Sequence, residues 1–140
     1  MLPASGTYTI LVNPQGTDLG SMTLTLHDVP ADLTGSIAIG GAAVSLNLGP
    51  VPGQNATLGF DGAAGQRVTL RLTNVTIGNS CCGARISLLK PDGTNVVPSI
   101  FVGTSGATMT ATLPVAGRYS IVVDPQGSYT GGITLTLTAS

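Results

Sequence analysis

With 140 residues and 42% hydrophobic content, the chain supports one domain with a proper core and does not comfortably hold two. Charged residues make up 8% of it and the net charge is −1, with five basic residues spread along the length, which leaves no electrostatic footprint for nucleic acid or anionic lipid. Disorder goes with low hydrophobicity and high net charge, and neither holds here, so the chain is expected to fold with a surface of hydroxyls and amides.

No apolar run approaches the roughly 20 residues a membrane helix needs. Residues 1–10, MLPASGTYTI, lack the basic and apolar regions of a signal peptide. They are mid-repeat sequence, which suggests a fragment of a longer protein with any export signal upstream. Leu2–His27, LPASGTYTILVNPQGTDLGSMTLTLH, returns as Leu113–Thr138, LPVAGRYSIVVDPQGSYTGGITLTLT. At a gapless offset of 111 residues, fourteen of the twenty-seven positions from Leu2 to Asp28 are identical. The chain is thus about one and a quarter copies of a larger repeat, and repetition is established before any fold is assigned. In the first copy Tyr8, Ile10 and Val12 share one face of a strand, Met22, Leu24 and Leu26 share one face of the next, and Asn13-Pro14-Gln15-Gly16 has turn chemistry. The copy is expected to form a β-hairpin.

The proline-containing joint His27-Asp28-Val29-Pro30-Ala31-Asp32 separates an orphan hairpin, residues 1–30, from one module, residues 31–140. Helical periodicity is absent, while apolar residues alternate with small polar ones between Gly, Pro, Asn and Asp clusters every 8 to 12 residues, the signature of a sandwich or barrel. Strands are predicted at Ser36–Ile39, Ala43–Leu48, Ala56–Phe60, Arg67–Thr73, Arg85–Leu89, Ile100–Val102, Thr108–Thr112, Arg118–Val123 and Gly132–Thr138. Val68, Leu70 and Leu72 point inward in the fourth and Ile133, Leu135 and Leu137 in the ninth, with threonines outside, where the β-branch suits the pleat and the hydroxyl stays wet. Residues 50–55, 61–66 and 90–94 read as turns. The fold class is all-β: a two-sheet antiparallel sandwich of about nine strands with an extra N-terminal hairpin.

Several runs resemble the bacterial pre-peptidase C-terminal domain. They are Leu113-Pro114-x-x-Gly117-x-Tyr119, Gly65-Gln66-Arg67-Val68, Leu89-Lys90-Pro91-Asp92-Gly93, Pro52-Gly53-Gln54-Asn55-Ala56, Phe60-Asp61-Gly62 and Asp124-Pro125-Gln126-Gly127. The resemblance covers residues 32–140 and the partial copy at 2–28, and it consists of turn and core signatures. It implies a jelly-roll-like sandwich, strung in tandem or appended to enzymes in large secreted bacterial proteins, without catalysis of its own and with an extracellular or cell-surface location.

No residue set carries catalysis. A nucleophilic serine or threonine needs a base and an orienting group within reach. The single histidine, His27, is replaced by Thr138 in the second copy, as expected of an exposed strand end. The acidic residues are all aspartates, each within two residues of a Gly or Pro, where the carboxylate is expected to bond its own backbone two residues on. Calcium needs six to eight converging oxygens, which loops around Asp61 and Asp92 could supply, but no alternating acidic run occurs. No other cofactor is indicated. Adjacent Cys81 and Cys82 fit no zinc spacing. They read as free thiols on a loop, as a vicinal disulfide, or as crosslinks to a neighbouring chain. Carbohydrate binding would want an aromatic platform. Tyr8 and Tyr119 hold one repeat position on an inward face, so loop residue Tyr129 is the single weak ligand candidate.

The orphan hairpin is the functional clue. Its apolar face (Leu2, Tyr8, Ile10, Val12, Met22, Leu24, Leu26) needs a cover, since a lone two-stranded hairpin is marginal in water and an open edge templates pairing. It either packs on residues 32–140 or adds to another molecule in trans. These features point to a non-enzymatic structural or adhesive extracellular repeat module that partners copies of itself or neighbouring repeats, with fibres formed by strand addition or hairpin exchange. The competing reading is an extracellular carbohydrate- or ligand-binding module assisted by calcium.

Overall fold

Alternating burial along the chain sets nine strands in the computed structural model, which describes residues 2–140. They are β1 (Leu33–Ser36), β2 (Val44–Leu48), β3 (Ala56–Gly62), β4 (Arg67–Thr73), β5 (Ala84–Leu89), β6 (Ile100–Val102), β7 (Ala107–Thr112), β8 (Gly117–Pro125) and β9 (Gly131–Ala139). One sheet has the order β1-β3-β8-β5-β6 and the other β2-β9-β4-β7. Among the described residues every named pairing is antiparallel except β1 with β3. Those two run parallel because the chain crosses to the other sheet for β2 before it returns. No helix among the described residues is long and apolar enough to cross a membrane.

The core lies between the sheets. Val68, Leu70 and Leu72 of β4 are buried against Ile86 and Leu88 of β5 and Leu58 and Phe60 of β3 in a single cluster. Outside, hydroxyls meet across strands, Ser45 with Thr134 at 3.0 Å and Thr69 with Thr110 at 3.5 Å, so the threonine-rich face is tied laterally while staying solvated. β1 starts at Leu33, earlier than expected, because Leu33 N–H reaches the Asn55 carbonyl at 2.8 Å, and Gly40 and Gly41 already turn toward the second sheet.

Two expectations about the doubled segment are corrected. First, its two strands do not form a hairpin. β8 lies between β3 and β5 in one sheet and β9 between β2 and β4 in the other, so the 126–130 turn is an arch across the core. A hairpin and an arch share the same short Pro-Gly turn and the same alternation. They differ in whether the apolar faces lie side by side or face each other, and that depends on distant strands. Second, residues 2–32 form no strand at all, so the first copy is neither a hairpin nor packed as a flap. Its pairing partners would be strands equivalent to β2, β3, β4 and β5, and the chain has one set of these, already filled by β8 and β9.

Tyr119, Ile121 and Val123 of β8 are 0% exposed and Ile133, Leu135 and Leu137 of β9 are 2%, 0% and 1% exposed. Phe60 stands opposite Tyr119 in register and stacks on it with ring centroids 5.5 Å apart. We expect Ile121→Ala to cost about 2–5 kcal/mol, the loss typical of truncating a fully buried aliphatic side chain, and Thr136→Ala on the outward face of β9 to stay within about 1 kcal/mol. Denaturant unfolding at constant slope measures both.

Candidate functional site

The arch is built from three local devices. At its start the Tyr119 hydroxyl donates to the Val115 carbonyl at 2.6 Å and accepts from the Val115 N–H at 3.3 Å, which folds the Leu113–Gly117 corner back on the strand that follows. At its crest Tyr129 N–H bonds the Gln126 carbonyl at 3.1 Å, with Gly127 left-handed at φ 58°. Along its flanks two glycines admit close neighbours. A Cβ on Gly117 would sit 2.7 Å from Pro91 Cγ, and one on Gly131 would sit 2.7 Å from the Thr76 carbonyl oxygen, at φ values of +151° and +141°. These positions exclude side chains by both space and backbone conformation.

The first copy keeps the first two devices without its neighbours. Tyr8 hydroxyl donates to the Ala4 carbonyl at 2.6 Å and accepts from the Ala4 N–H at 3.4 Å. Asp18 N–H bonds the Gln15 carbonyl at 3.0 Å, and Gly16 has φ 55°. Yet its apolar face is open: Tyr8 is 48% exposed, Ile10 63%, Met22 65% and Leu26 86%, and Leu2, Val12 and Leu24 are exposed with them. Gly6 and Gly20, equivalent to Gly117 and Gly131, have nothing within 4 Å of a would-be Cβ and hold no left-handed backbone. The joint that follows is fastened to the module. Gln54 side-chain N–H donates to the Ala31 carbonyl at 2.8 Å, Asp32 carboxylate accepts from Asn55 N–H at 2.9 Å, and the Val29 methyls lie against Gly53.

A second cluster forms at one end of the sandwich, where the structure joins residues that the sequence left separate. Cys81 and Cys82 are bonded to each other in an exposed loop. Asn79 organises it: its side-chain oxygen accepts from the N–H groups of Cys81 and Cys82, each at 3.2 Å, and its amide donates to the Tyr129 hydroxyl at 3.3 Å. Thr104 N–H ties the Asn79 carbonyl at 2.9 Å. Tyr129 is 39% exposed beside this loop. The cue in the sequence was Asn79 two residues before Cys81, the spacing of an Asx turn, although nothing there linked it to Tyr129.

The remaining candidates stay apart. His27 is exposed in the unpaired segment. Asp61 pairs with Arg118 at 3.6 Å between exposed side chains. Asp92 accepts from the Thr94 hydroxyl at 2.7 Å and the Thr94 N–H at 2.9 Å, with Lys90 beside it at 3.4 Å. The Thr94 hydroxyl bond, then its amide and Lys90, hold the Asp92 carboxyl below the ordinary carboxylate range. A lowered carboxyl supports the folded turn above that range and loses the contribution as pH falls through the lowered value. Among the described residues no group of three His, Cys, Asp or Glu side chains converges on a metal position.

No family model and no curated protein matches the sequence. Solved structures do match in fold. PliG from Salmonella Typhimurium, a periplasmic lysozyme inhibitor of g-type lysozyme, is 16% identical with TM-score 0.50, over 75% of this chain and 98% of that one. PliG from Aeromonas hydrophila, likewise a periplasmic inhibitor of g-type lysozyme, is 12% identical with TM-score 0.49, over 76% and 98%. The pre-peptidase C-terminal domain of collagenase from Bacillus anthracis is 15% identical with TM-score 0.48, over 81% and 99%. At this identity the likeness to the Salmonella protein is one of fold alone.

The paired glycines separate the two copies experimentally. Gly131→Ala is expected to cost about 1–3 kcal/mol, the usual penalty for forcing a side chain into such a conformation, with steric contact against Thr76 in addition. Gly20→Ala in the same chain is expected to leave the unfolding midpoint unchanged.

Proposed function

We propose that this chain is a non-enzymatic structural or adhesive repeat module of an extracellular or cell-surface protein, joined to neighbouring modules through its repeated arch. The observation that carries this reading is the exposed apolar face of residues 2–26, which repeats position for position the face that β8 and β9 bury. Exposed apolar surface of that extent marks an interaction site. The low charge lets such surfaces meet without repulsion, and the bonded Cys81–Cys82 pair favours an oxidising compartment. Modules strung head to tail in this way form a heterologous arrangement that does not close, so they extend into a stalk or fibre.

A second reading rests on the crest of the arch, where Tyr129 stands half-open beside an exposed disulfide and would offer a small platform to a glycan or another extracellular ligand, with calcium as an assistant. Tyr129→Ala, or a chelator, would then weaken binding to the ligand in question.

Light scattering across a concentration series tests the first reading. The intact chain is expected to associate as concentration rises, whereas the chain without residues 1–30 is expected to remain a folded monomer with a melting temperature within a few degrees of the parent. A monomer at high concentration in both forms would sink the assembly reading.

A further inference from the structure

We propose that residues 2–26 are the eighth and ninth strands of a preceding sandwich of this same topology, inserted one into the centre of each sheet. The proposal rests on the modular reading above and assigns its partner: a seven-stranded body equivalent to β1–β7, arriving directly before Leu2 as β7 arrives directly before Leu113.

Three independent features support this acceptor. The first is the pattern of side chains: at each of the six inward positions where β8 and β9 are 2% exposed or less, the first copy also carries an apolar residue, and the one change among them is Ile133 to Met22. The second is the glycines. Gly6 and Gly20 meet nothing in this chain, so nothing in their present surroundings demands glycine. In the arch of an intact sandwich the same two positions are packed against a proline ring and a backbone carbonyl that leave no space for a Cβ. A residue type retained for a close approach that is missing here implies that the approach is made elsewhere. The third is that the Tyr8 bond to Ala4 and the crest turn at Gln15–Asp18 are already formed, so the segment loses less conformational freedom on insertion.

Counting decides between acceptors. Each chain carries two arches and one seven-stranded body. Exchange between copies of the chain can house one arch only by displacing another with the same apolar set, so any number of copies leaves one arch per chain exposed. A body without an arch of its own removes the surplus, and an upstream module supplies it with no linker. In register, Ile10 would lie between residues equivalent to Leu58 and Leu88, and Leu24 between residues equivalent to Val44 and Leu72, as Ile121 and Leu135 do here. The fastened joint at Gln54 and Asp32 would then fix the angle between successive modules.

The test is a fusion in which residues 31–112 are placed directly before Leu2 of the full chain, read by thiol labelling in a Cys81→Ser/Cys82→Ser background. Ile10→Cys and Leu24→Cys are expected to label at least about a thousandfold more slowly in the fusion than in the chain alone, as core strands open only through near-global unfolding, while Leu11→Cys on the outward face changes far less. Val12→Cys and Met22→Cys serve as a second inward pair in case either of the first disturbs packing. Unchanged labelling at all four inward positions overturns the proposal, and so does protection confined to the first strand, which would mean edge addition to a single sheet. If deletion of residues 1–30 abolishes association while the fusion leaves these thiols open, the modular reading survives and this acceptor falls. If the fusion protects them although the chain never associates, the acceptor stands without the assembly reading.

Discussion

The arch formed by β8 and β9 is the constraint on which the rest of this sandwich depends. β8 has a strand on each side in one sheet and β9 has a strand on each side in the other, so the same twenty-odd residues sit at the middle of both layers and join them across the core. Without them β3 and β1 lose their connection to β5 and β6, and β2 loses its connection to β4 and β7. The six inward side chains of the arch, at about 1.5–3 kcal/mol for each full burial, represent a contribution as large as the whole net stability of a typical domain. They also come last in the chain and pair with strands near its start, which makes the topology rich in long-range contacts and slow to close.

A second arch in the same chain, with the same apolar pattern and no body to receive it, follows directly from that constraint. The segment cannot enter a sheet whose central place is filled. It forms no sheet by itself either: residues 8–12 and 22–26 carry no strand and no ladder between them. What it keeps is what local chemistry alone can hold: a tyrosine hydroxyl bonded four residues back and a tight turn at Gln15–Asp18. The strands between those two points need neighbours to supply their ladders, and they have none here.

Much of the body was legible in the sequence because its signals are local. Alternation in Arg67–Thr73 and Gly132–Thr138 assigned the inward residues, and the glycine and proline clusters located the turns. The repeat marked Tyr8 and Tyr119 as one position, and in both copies the hydroxyl bonds the main chain four residues back. The difference between hairpin and arch was not legible, since Asp124-Pro125-Gln126-Gly127 serves either connection and the choice rests on β3, β5, β2 and β4 far away in sequence. The parallel pairing of β1 was hidden for the same reason, as it follows from a crossover between sheets. The meeting of Asn79, the Cys81–Cys82 loop and Tyr129 joins residues 50 positions apart, beyond the reach of any local pattern.

The central claim, that one arch holds both sheets together while its twin is left unhoused, is tested most directly by amide hydrogen exchange on the intact chain in dilute solution. The account expects the amides of residues 119–123 and 133–137 to be among the last to exchange and those of residues 8–12 and 22–26 to exchange at nearly unprotected rates. Equal protection of the two copies would contradict it, because a single seven-stranded body would then be holding two arches.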